Sequence, residues 1–275
     1  MEIKSATFAW LEQCSLILAT GEYAIPRNIP ILEVRQSTVT IDMSYPLVTC
    51  PARKLNYSFA AAEALWILNG DNRVETIAPY NPNIAQFSDD GVIFNGAYGP
   101  RIQSQINFVL EKLIEDRDTR QAVLTIWTPK PVKSKDTPCT VAMSFMIRKD
   151  KLHCQVFMRS SDIWLGLPYD MFNFTMVAAY VTCQYNNLTR DKRVSLGELS
   201  VTAASSHAYI QNCERIIECI NDASSHDCNK LPTNFITESH WSWIYDCLIS
   251  CRDKNESLNP ESWIIRPTYS PKEKS

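Results

Sequence analysis

DTPCTVAMSFMIRKDKLHCQVFMRSSDIWLGLPYD, residues 136–170, is the stretch whose reading decides the fold. Residues 140–148 and 152–158 alternate apolar and polar side chains around the charged turn Lys149, Asp150, Lys151, a pattern that predicts two strands joined as a hairpin. Directly behind them, Pro168 and Asp170 open an apolar run over residues 171–185 that predicts a buried helix. The same stretch carries a cysteine after a proline (Pro138, Cys139) and a polar cluster of Arg159, Ser160 and Asp162.

Working outward, RQAVLTIW at 120–127 is a strand by its β-branched and aromatic content, and residues 101–115 form an amphipathic helix. YSFAAAEALWIL at 57–68 is apolar nearly all round and is stopped by Asn69 and Gly70, so a buried helix is expected with Glu63 as its only charge. Residues 73–97 read as loop, with Pro79, Pro82 and Gly91 as punctuation. Residues 6–20 have helical spacing and end at Gly21; Pro26 and Pro30 then hold a loop open before alternation from Thr38 to Ile41 marks a half-buried strand. Past Asn212, CERIIECI is helical, and the tail from Asp253 is polar and proline-containing until SWIIRPTY. The three strands from 120 to 158 stand among helices without strict βαβ alternation, which predicts an α+β fold. No repeat or long linker divides the chain, and a single domain over 1–275 is expected.

Composition narrows the function classes. Hydrophobic residues make up 45% of the chain, ample for a core, and the formal charge of -3 comes with no long basic stripe, so nucleic acid is not the expected partner. The ten cysteines include no CxxC pair. His153, His207, His226 and His240 fall in no metal-ligand spacing, so no metal is expected. Cys213/Cys219 and Cys247/Cys251 read as helix-face packing residues. The N-terminal residues lack the pattern of a secretory signal, and no apolar run reaches the ~20 residues needed to span a bilayer. A soluble protein of a reducing, cytoplasmic compartment is expected.

Two residues invite chemistry on local grounds. Cys139 lies at a loop-to-strand junction, where a thiol is presented rather than packed; Arg159, opposite on the neighbouring strand, could stabilise its thiolate, against the alternative of a small buried hydrophobe. Glu63 on its apolar helix is either a paired structural ion or a carboxyl whose pKa is raised so that it moves protons near neutrality.

Six motifs then extend the picture: RKLNYSFAAAEALWILNGDN (53–72), AYG (97–99), DTRQ (118–121), PC (138–139), RSSDIWLGLPYD (159–170) and SHAYIQN (206–212). In this order and spacing, over most of the chain, they resemble the thymidylate synthase superfamily of folate-dependent pyrimidine-nucleotide C5 modifiers. The resemblance implies a mixed β-sheet flanked by helices, a sheet-mediated homodimer, a pyrimidine nucleoside monophosphate substrate and 5,10-methylenetetrahydrofolate as cosubstrate. By position, it implies Cys139 as the nucleophile adding to C6, Glu63 as proton-relay carboxylate and Tyr98 as its companion. Arg27, Arg159 and Ser160 correspond to phosphate ligands, and Arg120 to the arginine that reaches the partner subunit's phosphate. His207 and Tyr209 match the pair on the sugar hydroxyl, and Asp162 a residue contacting the pterin.

The departures bear on substrate. Asp170 stands where synthases have asparagine, and Thr140 where they have histidine; both changes resemble the deoxycytidylate hydroxymethylase branch. A carboxyl suits the exocyclic amine and N3 of cytosine, whereas facing uracil O4 an ionised carboxylate has no proton to offer; an ordinary helix N-cap is the structural alternative for Asp170. Gln121 replaces a second arginine, and Ser205 an aspartate. Ile84 and Phe87 stand where synthases carry tryptophans beside the folate, a smaller wall that favours water over hydride in the final step. Hydroxymethylation of dCMP is the expected reaction. The alternatives are a CMP 5-hydroxymethylase, a 5-methyl-dCMP synthase, a thymidylate synthase, and, from a different class, a non-catalytic nucleotide- or RNA-binding relative.

Overall fold

The computed structural model describes residues 4–189, 193–222 and 241–254. His226, His240 and the SWIIRPTY segment lie outside the described residues. In chain order the elements are α1 (Ala6–Thr20), β1 (Glu22–Ala24), β2 (Ile31–Asp42), α2 (Tyr57–Leu68), α3 (Val74–Ile77), α4 (Tyr98–Gln103), α5 (Ile106–Glu115), β3 (Val123–Thr125), β4 (Thr140–Arg148), β5 (Lys151–Met158), β6 (Ser161–Asp162), α6 (Leu167–Thr189), β7 (Ser195–Tyr209), α7 (Cys213–Asn221) and α8 (Trp241–Lys254). Among the described residues the sheet has seven strands, ordered β1-β2-β7-β5-β4-β3 with β6 alongside β7. It is mixed: β5 and β6 pair with β7 in parallel, and the other neighbours are antiparallel. The class is α+β.

The β4–β5 hairpin forms as its alternation predicts. Arg148 pairs with Lys151, and Lys149 and Asp150 both take positive φ (50° and 60°), the geometry of a two-residue turn that matches strand twist. Helix α2 also keeps its expected bounds: the Asn56 side chain accepts the Phe59 N–H at 2.9 Å to start it, and Gly70 at φ 67° turns the chain beyond its end. It packs against α6 and α8, which gives it the nonpolar surroundings its sequence demands.

Four expectations need correction. The strand over 120–127 is ordered as ladder only at Val123–Thr125, because the Ile126 and Trp127 N–H groups both turn to the Val141 carbonyl and end the pairing. The helix over 101–115 begins earlier, at Tyr98, and breaks at Ser104 and Gln105, where the Gln105 side chain bonds both the N–H and the carbonyl of Thr125 and pins the edge strand. Residues 73–97 include α3 and a 3-10 stretch, Pro82–Phe87. The largest difference is β7, which stands between β2 and β5 where no strand was expected. Eight of its 15 residues are Ser, Ala or Gly, which bring little strand preference of their own, and pairing on both sides supplies what propensity does not.

The core lies between the sheet and the helices, with Trp10, Phe145, Phe172 and Phe174 among its largest fully buried side chains. No helix among the described residues is long and apolar enough to cross a membrane.

Candidate active site

The β4–β5 ladder sets Cys139 against Arg159: the Arg159 N–H donates to the Cys139 carbonyl at 2.8 Å. The Arg159 guanidinium is held by the carbonyls of Pro138 (2.9 Å) and Thr137 (2.9 Å), which leaves one nitrogen 3.6 Å from Cys139 Sγ. Burial pushes the thiol up, and the Arg159 charge opposes that. The shift favours the protonated thiol, and a cation lies beside it that would stabilise a thiolate if one formed.

A cavity of about 310 Å³ opens in front of the sulfur. Glu63, Tyr98, Cys139, Ser160, Asp162, Asp170, Ile84 and Phe87 all line it, so eight of the side chains singled out from the sequence come together. Phe87 stays 48% exposed at its rim. Trp66, Phe94, Met158 and Phe174 supply an apolar wall.

Four further residues adjoin this cavity rather than line it. Arg159 reaches it through the sulfur. Ser160 Oγ lies 3.4 Å from His207 Nδ1, and the His207 ring meets Tyr209 edge-on at 5.4 Å. Arg27, in left-handed backbone (φ 54°), donates to the Tyr209 hydroxyl at 3.5 Å. Arg120 is different: it is exposed beside the start of β3 and outside the lining. Ser205, one of the departures, donates to Glu33 on the neighbouring strand.

The proton inventory is unusual. Burial drives the Glu63 carboxyl up to about 7, opposed by a 2.6 Å hydrogen bond from Asn173 Nδ2. Asp170 is held well above the usual aspartate range by burial, with Glu63 and Asp162 adding repulsion. Asp162 is raised by burial although the Trp164 and Leu165 N–H groups bond it at 2.8 and 3.0 Å; burial lowers His207. Tyr98 is raised by burial too, and its hydroxyl accepts from Thr140 Oγ1 (3.0 Å) and N–H (3.3 Å). Thr140, next to Cys139, thus fixes Tyr98. The site can hold protons at neutral pH on groups that elsewhere would have lost them.

Two cavity residues were missed by the sequence reading. Asn173 is 3% exposed, one helical turn beyond Asp170; with Nδ2 on Glu63, its Oδ1 is buried without a partner among the described residues. An amide within an apolar helix was the available signal. Asp136 lines the cavity from the loop before Cys139, and its Oδ2 accepts the Gly96 N–H at 2.5 Å.

The thymidylate synthase family model matches residues 8–248, and the chain belongs to that family. Among its curated relatives is the deoxyuridylate hydroxymethyltransferase of Bacillus phage SP01, 35% identical over 182 residues, 58% of this chain and 47% of the relative. Proteins of the same name from Delftia phage PhiW-14 and Pseudomonas phage M6 are 30% and 33% identical, over 64% and 66% of this chain and 53% and 54% of theirs. The chain spans about half the length of the curated relatives it matches.

Proposed function

We propose that this chain transfers a one-carbon unit from 5,10-methylenetetrahydrofolate to C5 of a pyrimidine nucleoside monophosphate, with water completing the reaction to a hydroxymethyl group and dCMP as the preferred substrate. The reading rests on Cys139 Sγ facing a cavity at 3.6 Å from a fixed guanidinium, with proton-holding carboxyls on the same walls. C5 of a pyrimidine is a weak nucleophile, and addition of a thiolate to C6 makes it reactive, dividing one hard step into easier ones. Cys139 performs that addition, and Glu63, its carboxyl raised to about 7 and lining the cavity with Tyr98, moves protons to and from the base. Arg159, Ser160 and Arg27 take the phosphate, His207 and Tyr209 the sugar, and Asp162, Ile84 and Phe87 the folate side. The family match supports this class of reaction.

Asp170 selects the base. Against cytosine, one carboxyl oxygen accepts from the exocyclic amine and the other shares a proton with N3. Against uracil, an ionised Asp170 faces O4 with no proton between them, a mismatch of about 1–3 kcal/mol. A protonated Asp170 would remove that mismatch by donating to O4. Its upward shift, together with the relatives' name, favours a uracil nucleotide as the second reading. The test is mass analysis of products from dCMP, CMP and dUMP, each incubated with the folate. A gain of CH2O on dCMP supports the proposal, while the same gain on dUMP alone supports the second reading. Asp170→Asn is expected to raise the uracil-to-cytosine ratio of kcat/KM by about 10- to 100-fold. An unchanged ratio would assign base selection to another residue.

We also propose a homodimer in which Arg120 serves the phosphate of the partner subunit, consistent with its place outside its own cavity. Mixing inactive Cys139→Ser and Arg120→Ala proteins, then allowing subunits to exchange, should restore about a quarter of wild-type activity, since half the dimers carry one intact site. Absence of any recovery would place Arg120 in its own chain's chemistry.

A further inference from the structure

Water capture needs a group to orient the water and take its proton, and in the reading above Glu63 is already engaged in the proton transfers of the base. Asp136 is placed for that work. It sits three residues before Cys139, lines the cavity with Cys139, Glu63 and Asp170, and also lines an adjoining hollow of about 290 Å³ with Arg101, Lys130 and Ser134. Asp136 therefore stands between the reaction space and a second hollow. Its approach is built into the backbone: a Cβ on Gly96 would come within 2.4 Å of the Asp136 carbonyl oxygen and 2.9 Å of Cγ, so only glycine admits the carboxyl at this distance. The Gly96 N–H holds Oδ2, and among the described residues it is the carboxyl's one hydrogen-bond donor, which leaves Oδ1 for a water. Burial raises the carboxyl, opposed by that N–H and by Arg101, which makes its carboxylate a stronger proton acceptor than an exposed aspartate.

We propose that Asp136 is a further catalytic residue, the base that holds the attacking water and accepts its proton, and this rests on the hydroxymethylation reading above. In the step, the water oxygen forms a bond to the exocyclic methylene carbon on C5, and one O–H proton passes to the Asp136 carboxylate. The methylene π electrons move into the ring to restore the C5–C6 double bond, and the C6–S bond breaks, returning its pair to Cys139 as thiolate. No oxidant or reductant is consumed.

The test uses the full-length protein, the folate and nucleotides tritiated at C5, with an added small thiol as a competing trap for the methylene. Asp136→Asn keeps an oxygen for the Gly96 N–H, so it should fold. Hydroxymethyl product is expected to fall about 10²-fold while tritium release continues and the thiol adduct of the base accumulates. KM values should stay within a few-fold of wild type, and Asp136→Glu should recover part of the lost rate. Retained tritium release shows at once that the variant is folded and that earlier steps are intact. Loss of tritium release in parallel with product, a rise in KM alone, or wild-type product formation would each overturn the assignment of Asp136. A wild-type protein that makes only methylated product would overturn it together with the reaction proposed above, a result separable from the others because it appears without any substitution.

Discussion

Cys139→Ser is expected to lower turnover by on the order of 10⁴-fold or more, the scale on which deleting a covalent nucleophile acts. The expectation has a physical basis. The Cys139 thiol is raised by burial but has Arg159 at 3.6 Å to stabilise its anion, whereas a serine hydroxyl starts from a far higher pKa and is a harder, poorer nucleophile toward a ring carbon. The substitution should leave the rest of the site in place. Arg159 keeps its bonds to the carbonyls of Thr137 and Pro138, and the ladder bond to residue 139 is backbone. Nucleotide affinity should therefore change little, while tritium release from C5 and the covalent adduct detected by intact-protein mass spectrometry both disappear. Tritium release that survived the substitution would remove the covalent route. A wild-type protein that bound nucleotide or RNA but released no tritium would point instead to a binding relative without catalysis.

The proposed nucleophile could be found in the sequence because the hairpin brings its neighbour close. Once residues 140–148 and 152–158 pair as a hairpin, the segment from Arg159 must run past Cys139; unbroken register would set Ser160 opposite it, and the shift between Thr140 and Ala142 brings Arg159 instead, with its N–H on the Cys139 carbonyl. Helices α1, α2 and α6 were legible for a similar reason, since their apolar faces and end signals are local. Strand β7 was not, because what makes it a strand is the company of β2 and β5, and nothing in its run of small residues announces that company. The same limit hid Asn173 and Asp136. That Asn173 spends its amide nitrogen on a carboxyl 110 positions earlier, and that Gly96 leaves room for Asp136, are facts of tertiary approach. Arg120 shows the limit in another form: its proposed work is done for a second chain.

Glu63→Gln should cut kcat by about 10²- to 10³-fold with little change in nucleotide affinity, as expected of a group that carries protons rather than holds substrate. The pH dependence separates that role from a structural one. With the carboxyl lifted from 4.5 to about 7, the wild-type kcat profile should show a limb near 7 that is absent from the variant. Stability should respond with a definite sign. A carboxyl raised in the folded state binds its proton more tightly there than in the unfolded chain, so it costs nothing below about 4.5 and its cost grows as pH rises, reaching its full size above about 7. The full cost is on the order of 3 kcal/mol, and Gln removes it while keeping an oxygen to accept from Asn173. The variant should therefore unfold at higher denaturant than wild type at pH 8 and at nearly the same denaturant at pH 4. A Glu63→Gln protein less stable than wild type at both pH values, with kcat retained and only binding weakened, would make Glu63 a structural acid; greater stability at high pH with slower turnover is the signature of a carboxyl kept uncomfortable for the sake of its proton.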